Sequence, residues 1–178
     1  SLQAAVLVAP VRALRVRLIE PRKSRGDESL DDADEDTAPW QELYAEGELC
    51  LSLPLPPRER GETKKAKPLE LAYLPGDFTQ THWAINTALV ARALEWLQPA
   101  ADECALDLFS GIGNFSLPLA SRASVVHALE GDASMSRRLA ANAARNGIDN
   151  IKAGTLNLME EGLVLPRADI AVIDPPRA

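Results

Sequence analysis

The second half of the chain alternates short apolar runs with helical patterns, and this alternation restricts the fold more than any other sequence feature. Four such runs stand at residues 104–109, 124–129, 150–155 and 168–173. A short helical segment follows Asn114, and a longer one extends from about Asp132 to Asn146. Strands that alternate with helices are joined by right-handed crossovers into a parallel sheet. The pattern therefore predicts an α/β fold for this half of the chain.

The helical segments carry start and stop signals. Residues 83–97 predict an amphipathic helix ahead of the first strand. Its predicted apolar face recurs at every fourth residue, namely Ile85, Leu89, Ala93 and Leu97. In the helix after the second strand, Asp132 is the predicted N-cap and Gly147 the residue that follows the last turn. Pro118 is tolerated only in the first turn of a helix, so the short helix is predicted to begin near Asn114.

Before residue 80 the apolar residues alternate with a period of two instead. Three runs show this alternation, at residues 14–19, 48–53 and 69–74. In the second run Leu49, Leu51 and Leu53 fall on one face, which predicts a half-buried antiparallel strand. Long polar loops are predicted at residues 21–39 and 54–68. We therefore expect a small β-rich α+β region over residues 1–79 and a parallel-sheet domain over residues 80–178.

The composition indicates a soluble protein without a membrane span. Hydrophobic residues make up 46% of the chain and charged residues 25%, as in ordinary soluble domains. The apolar stretch at residues 4–9 stops at Pro10, whereas a spanning helix needs about 20 apolar residues. Cys50 and Cys104 are too few for a disulfide framework or a cysteine metal site, and no signal peptide is visible. We expect a cytoplasmic location and no bound metal.

The net charge of −7 is concentrated in one segment. Residues 27–36 hold seven acids and no base, so the other 19 acids (26 − 7) balance the 19 bases. Residues 1–26 carry six bases and one acid. A block of like charges is usually a solvated loop, but this one could instead screen the neighbouring basic surface. The sequence leaves both interpretations open.

The segment Asp107–Phe115, DLFSGIGNF, joins the end of the first parallel strand to a helix. Glycines at such a position let a ligand approach the backbone, and ligands of parallel sheets bind at the carboxyl ends of the strands. A dinucleotide-binding loop would carry a third glycine, but Ser116 stands there, which argues against NAD. By themselves Gly111 and Gly113 are equally typical of a tight strand-to-helix turn.

Two carboxylates end other predicted strands. Glu130 closes the second strand, where a carboxylate can accept hydrogen bonds from both hydroxyls of a ribose. Asp174 follows the fourth strand and is held by Pro175 and Pro176, which fix their own φ and restrict the preceding residue. Together with the glycines, these residues indicate a cofactor that contains a nucleoside without requiring a pyrophosphate.

These motifs resemble those of the S-adenosylmethionine-dependent RNA (uracil-5-)-methyltransferases, most closely the bacterial 23S rRNA branch. The resemblance covers roughly residues 69–178 and rests on DLFSGIGNFSLPLA, the Glu130 strand end, IDPPRA and Phe78-Thr-Gln80. It implies a Rossmann-like class I methyltransferase domain with S-adenosyl-L-methionine as cofactor. Together with the glycine loop, it implies cofactor contacts from Gln80, Phe109, Gly111, Asn114, Glu130, Asn157 and Asp174.

Two positions depart from the family pattern. His82 stands where the family motif F-x-Q-x-N has asparagine, and Ser110 replaces a frequent cysteine. Neither residue is an implied cofactor contact. We interpret His82 as an ordinary loop histidine.

The resemblance also implies a reaction. In the family a cysteine thiolate adds to C6 of uracil, C5 takes the methyl group, and a glutamate removes the C5 proton. Both residues follow the D-P-P-R motif in the family, so we expect a truncated enzyme that is inactive by itself. Asp174 is the catalytic candidate in this chain, placed to orient the cofactor or the uracil. Cys50 and Cys104 are interpreted as small buried residues of strands.

The implied partner is RNA, with rRNA favoured over tRNA, and the complete protein is expected to be a monomer. Two other functions stay open from the sequence. An acid before two prolines also suits a methyltransferase that acts on a nucleobase nitrogen. The chain could also be a non-catalytic module that binds S-adenosylmethionine or RNA.

Overall fold

A computed structural model describes residues 13–16, 41–45, 49–57, 66–74, 76–80 and 82–176. The acidic segment 27–36, Arg177 and nearly all of the basic segment 1–26 lie outside the described residues, so the two interpretations of the acidic segment stay open. The chain divides into two compact units, Ser1–Leu49 and Cys50–Ala178. Among the described residues, every helix is too short or too polar to cross a membrane.

The first unit contains two antiparallel strands. They are β1 (Ala13–Val16) and β2 (Gln41–Ala45), and the register shifts between Leu14 and Arg15. The alternation at 14–19 predicted β1, whereas β2 was not predicted. The β2 sequence QELYA is too polar to show an apolar alternation, and its register sets Glu42 opposite Arg15. Such a strand is specified by its pairing partner more than by its own sequence.

Strands β3 (Leu49–Leu53) and β4 (Leu69–Tyr73) pair in a second two-stranded sheet. Along β3 the odd-numbered leucines are half-buried or buried and the residues between them are exposed, which confirms the predicted face. Leu53, Leu69 and Leu71 belong to the same buried cluster as residues of the parallel sheet. The compact units are thus divided near residue 49, and the domain boundary at residues 79 and 80 stays a prediction.

The second unit is built on a four-stranded parallel sheet, which confirms the predicted α/β fold. Its strands are β5 (Cys104–Leu108), β6 (Val125–Glu130), β7 (Ile151–Thr155) and β8 (Ile170–Ile173). They lie in the order β7-β6-β5-β8, and every neighbouring pair is parallel. The chain therefore reverses its direction of travel across the sheet beside β5. Such a switch point is where open α/β sheets bind their ligands.

Three helices accompany this sheet: α1 (Trp83–Leu97), α2 (Ser116–Ala120) and α3 (Ala133–Arg145). The Asp132 side chain accepts from the Ser134 and Met135 backbone N–H groups, as expected of the predicted N-cap. Gly147 follows α3 with φ of +67°. Pro118 is the third residue of α2, where no helical hydrogen bond is lost.

The predicted apolar face of α1 is wrong for its first half, whereas Ala93 and Leu97 are half-buried and pack against the core. Ile85 and Leu89 are 63% and 46% exposed, and the buried residues are Asn86, Val90 and Leu94. Because α1 carries apolar residues on two adjacent stripes, the count at every fourth residue selected the outer one. The inner stripe begins with the polar residue Asn86, whose side-chain amide pairs with that of Asn114 in the loop after β5.

Candidate cofactor site

The predicted site residues collect at the carboxyl edge of the parallel sheet. Phe109 and Gly111 follow β5, Glu130 is the last residue of β6, Asn157 lies two residues after β7, and Asp174 follows β8. Backbone hydrogen bonds join neighbouring strand ends, with Leu156 N donating to Glu130 O at 2.9 Å. Parallel pairing therefore brings five of the seven predicted residues to one edge.

The loop at residues 109–115 has a backbone that favours glycine. Phe109, Gly111 and Gly113 have φ of +62°, +55° and +104°. A Cβ at Gly113 would lie 2.1 Å from Leu117 Cδ1, so a side chain there has no room. The loop N–H groups are also used, since Ser110 N donates to Leu129 O at 3.1 Å and Gly113 N to Ser110 O at 3.0 Å. The loop is therefore held in one conformation.

Glu130 is anchored by two backbone donors. Gly111 N donates to Glu130 Oε2 at 2.8 Å, and Asp132 N donates to Glu130 Oε1 at 3.0 Å. The side chain is half-buried. An ionised carboxylate offers about four acceptor positions, so each oxygen keeps one for a ligand. The arrangement fits a pair of neighbouring hydroxyls, as on a ribose.

Asn114 connects the edge with α1, and Gln80 lies in the segment that precedes this helix. Asn114 and Asn86 exchange two side-chain hydrogen bonds of 2.7 and 2.9 Å, which places the start of α1 beside the loop. Gln80 is half-buried between β4 and α1. Nearby, Arg138 of α3 forms a 2.8 Å ion pair with Asp77. Side-chain contacts thus hold Asp77, before Gln80, and Asn86, after it.

Asn157 and Asp174 are the exposed members of the set. Asn157 Oδ1 accepts from Met159 N at 3.2 Å, and Asn157 Nδ2 donates to Glu160 at 3.1 Å. Asn157 therefore uses its side chain within its own turn. Asp174 N lies 3.5 Å from Leu108 O, which is the last β5–β8 contact.

Asp107 belongs to this site although it was not among the predicted site residues. It is 1% exposed, Ser116 Oγ donates to its Oδ2, and its Oδ1 has no partner among the described residues. Burial raises the pKa of Asp107 to about 7, against the Ser116 hydrogen bond, and the charges of Asp174 and Glu130 raise it further. The available signal was one acid inside the otherwise apolar run CALDLF.

The two departures from the family pattern have structural accounts. His82 is the N-cap of α1, and its Nδ1 accepts from Ile85 N at 3.4 Å, so the interpretation as a loop histidine needs correction. Asparagine is a favoured residue at this position, so histidine performs the same local task. Ser110 is buried, and its Oγ has no partner in the described part of the chain.

The two cysteines also differ from their interpretation. Cys50 is exposed on β3, and Cys104 is half-buried at the first residue of β5. Cys104 Sγ donates to Arg167 O at 3.5 Å. Since β5 has five residues, Cys104 lies about 13 Å along the strand from the carboxyl edge.

The arrangement has a definite chemical character. Three acids, Asp107, Glu130 and Asp174, surround the glycine loop, and their charges act on one another. Such a site suits a ligand with hydroxyl donors and positive charge. Among residues 49–57, 66–74, 76–80 and 82–176, no cluster of three or more His, Cys, Asp or Glu is arranged to hold a metal ion.

The family profile that matches this chain and two of its relatives are named as RNA uracil-C5 methyltransferases. The sequence profile of the tRNA (uracil-5-)-methyltransferase family matches residues 65–164. The 23S rRNA (uracil(1939)-C(5))-methyltransferase RlmD of Pseudomonas syringae pv. tomato is 47% identical over 116 residues, which is 61% of this chain and 25% of that protein. The enzyme of the same name from Pseudomonas aeruginosa is 45% identical over 113 residues, again 61% and 25%. The chain thus spans about a quarter of the length of these relatives.

Two solved structures share the fold. The Pyrococcus abyssi tRNA (uracil-54, C5)-methyltransferase in complex with S-adenosyl-L-homocysteine has a TM-score of 0.52 and 20% identity, over 66% of this chain and 32% of that one. The Thermus thermophilus 16S rRNA N2 G1207 methyltransferase, in complex with AdoMet and guanosine, has a TM-score of 0.57 and 23% identity, over 78% and 37%. At these identities the likeness concerns the fold alone.

Proposed function

Because the chain belongs to the tRNA (uracil-5-)-methyltransferase family, we propose that its sheet edge binds S-adenosylmethionine for the methylation of C5 of a uridine in 23S rRNA. The observation that carries the proposal is Glu130, whose two oxygens are oriented by backbone donors beside a glycine loop. The names of the relatives at 45–47% identity support rRNA as the substrate.

The residues present fit this cofactor. S-adenosylmethionine carries two ribose hydroxyls for Glu130, and its sulfonium and ammonium charges suit a site with three acids. Gly111 and Gly113 allow close approach to the backbone, and Asp107 Oδ1 and Ser110 Oγ are buried acceptors without partners in the described residues. Gln80, Phe109, Asn114, Asn157 and Asp174 are proposed as the remaining contacts. When bound, the cofactor supplies an electrophilic methyl group on sulfur.

Replacing Glu130 by alanine is expected to weaken S-adenosylmethionine binding about tenfold or more. Two hydrogen bonds to ribose hydroxyls are removed, at about 0.5–1.5 kcal/mol each. Isothermal titration calorimetry on wild type and Glu130→Ala measures the change. Since Glu130 also anchors Gly111 N, a loss of loop order would give the same fall in affinity.

A ligand with one ribose hydroxyl removed separates the two causes. If Glu130 binds the ribose, the alanine substitution costs less affinity for the 2′-deoxy analogue than for S-adenosylmethionine, because one partner is already missing. Equal losses for both ligands would show that Glu130 acts only on the loop. No measurable binding of S-adenosylmethionine to the wild type would reject the cofactor proposal.

For the chemical step we propose that neither cysteine of this chain adds to uracil. Cys104 stands at the amino end of β5, opposite the site, and Cys50 lies on β3. Addition at C6 is what makes C5 nucleophilic, so we expect no methyl transfer to uridine from this chain alone. Incubation with methyl-labelled cofactor and 23S rRNA, followed by nucleoside mass spectrometry, measures it, and labelled 5-methyluridine would contradict the expectation.

The same experiment tests the second candidate, a nucleobase N-methyltransferase. Asp174 before Pro175 and Pro176 favours it, because an exposed acid there can accept from an amino group. Label on a nucleobase nitrogen would decide for this candidate. We further propose that the complete protein acts on RNA as a monomer in the cytoplasm, and analytical ultracentrifugation tests the monomer.

A further inference from the structure

Asn142 of α3 joins the glycine loop to strand β4. Its side chain is wholly buried. Asn142 Oδ1 accepts from Ala72 N at 2.8 Å, while Nδ2 donates to Ala72 O at 3.1 Å and to Ile112 O at 3.0 Å. A side-chain amide has two N–H donors, and both are used here. One side chain thus satisfies one residue of β4 and one carbonyl of the loop.

Asn146, one helical turn later, makes the same pair of contacts with β4 as Asn142 does. Its Oδ1 accepts from Glu70 N at 2.9 Å, and its Nδ2 donates to Glu70 O at 2.7 Å. Asn142 and Asn146 are four residues apart, which is about 6 Å along a helix, and Glu70 and Ala72 are two residues apart, which is about 6.6 Å along a strand. Because these spacings are similar, the two side-chain amides can each pair with one of two alternate residues of β4. The other contact of Asn146 Nδ2 is to Asn142 O, within α3. Only Asn142 of the pair reaches the loop.

The loop carbonyl that Asn142 holds belongs to a peptide that is fixed on both sides. The Ile112–Gly113 peptide presents Ile112 O to Asn142 Nδ2, and its N–H, on Gly113, donates to Ser110 O at 3.0 Å. Gly113 has φ of +104°, a conformation that an unheld glycine leaves readily. Without Asn142, the buried Ile112 carbonyl would lack its partner, and rotation of this peptide would relieve that cost.

We propose that Asn142 is a positioning residue for the cofactor loop, which it sets through the Ile112 carbonyl and couples to β4 through Ala72. This inference rests on the proposed function, because S-adenosylmethionine is the ligand that the loop is proposed to bind. Asn142 itself is not among the proposed cofactor contacts. Its effect on the ligand passes through the orientation of the Ile112–Gly113 peptide.

The test compares Asn142→Asp with Asn146→Asp. Each substitution replaces an amide donor by a carboxylate oxygen that faces two carbonyls, and each disrupts the contact with β4. Both variants are therefore expected to unfold at lower urea concentration than wild type. Under conditions where each is folded, Asn142→Asp should bind S-adenosylmethionine about tenfold more weakly, whereas Asn146→Asp should keep wild-type affinity.

Hydrogen exchange supplies a readout that needs no ligand. The Gly113 amide, which donates to Ser110 O, should exchange faster in Asn142→Asp than in Asn146→Asp, with β5 amides as the internal reference. Equal affinities and equal Gly113 exchange in the two variants would overturn the proposal. If the wild type fails to bind S-adenosylmethionine, the proposed function falls, while Gly113 exchange still decides the role of Asn142.

Asn142→Ser removes the amide without adding charge and replaces the aspartate variant if that variant does not fold. Failure of both Asn142 variants to fold would make Asn142 a residue of stability alone and would count against the proposal. In the wild type, saturating S-adenosylmethionine should slow exchange of the Ala72 amide more than that of Glu70, because only Ala72 is linked to the loop.

Discussion

Gly113→Ala is expected to lower the free energy of unfolding by about 3–5 kcal/mol, the largest stability effect of any single methyl group added to the site. The new Cβ would lie 2.1 Å from Leu117 Cδ1 and 3.3 Å from Leu139 Cγ. Both leucines are fully buried, so neither can move away without disturbing the core. A φ of +104° adds backbone strain for any residue with a Cβ. Urea unfolding measures the sum.

Two other glycines provide matched controls for Gly113. Gly147 has φ of +67° and nothing within 4 Å of its Cβ position, so Gly147→Ala isolates the backbone term, about 1 kcal/mol. At Gly111 the Met135 Cε atom lies 3.4 Å from the Cβ position, which predicts an intermediate loss. Equal losses at Gly113 and Gly147 would show that the contacts with Leu117 and Leu139 relax freely.

The contribution of Asp107 to the free energy of unfolding should fall as pH rises from about 4 to about 7. Its pKa is raised from 3.8 to about 7 in the folded protein, so the folded state binds the proton more tightly than the unfolded state. The stabilising contribution is complete below the unfolded pKa and is lost as pH passes the folded pKa. The loss is on the order of a few kcal/mol, from about 1.4 kcal/mol per pKa unit.

Asp107→Asn removes this titration while keeping the shape of the neutral acid. The difference between the unfolding free energies of wild type and Asp107→Asn, measured from pH 4 to 8, cancels the contributions of other groups. We expect the stability of the wild type relative to Asp107→Asn to fall between pH 4 and about 7, because only the wild type carries the titrating carboxyl. Ser116→Ala removes the hydrogen bond that lowers the pKa of Asp107, so it should move the transition to higher pH. A pH-independent difference would place the folded pKa of Asp107 near its ordinary value.

The sequence predicted the parallel sheet well because its strands are fully specified by local signals. The four apolar runs that end at residues 109, 129, 155 and 173 are short and are separated by helical or polar segments. Asp132 caps α3 in the predicted way. The face of α1 was missed in its first half because two apolar stripes compete on one helix, and a tertiary amide pair with Asn114 selects between them. A periodicity count contains no information about that partner.

The site was predictable to the extent that its residues sit at strand ends. Glu130 and Asp174 could be placed because parallel strands bring their carboxyl ends together. Asp107 and Asn142 were not selected, because each is a polar residue in a buried position. The contact of Asn142 with Ala72 also spans 70 residues of sequence, and a local pattern does not reveal it. Buried polar residues of this kind become visible only when their partners are known.

The central position of β5 gives the sheet an order of assembly. β5 meets β6 after a short connection, with Ser124 and Glu103 separated by 21 residues, whereas its contact with β8 joins residues 65 apart. Contacts between distant residues close large chain loops, which slows their formation. β8 is also the shortest strand of the sheet, with four residues. We therefore expect β8 to pair with β5 later than β6 does, so that Asp174 joins Glu130 and the glycine loop only when the last strand pairs.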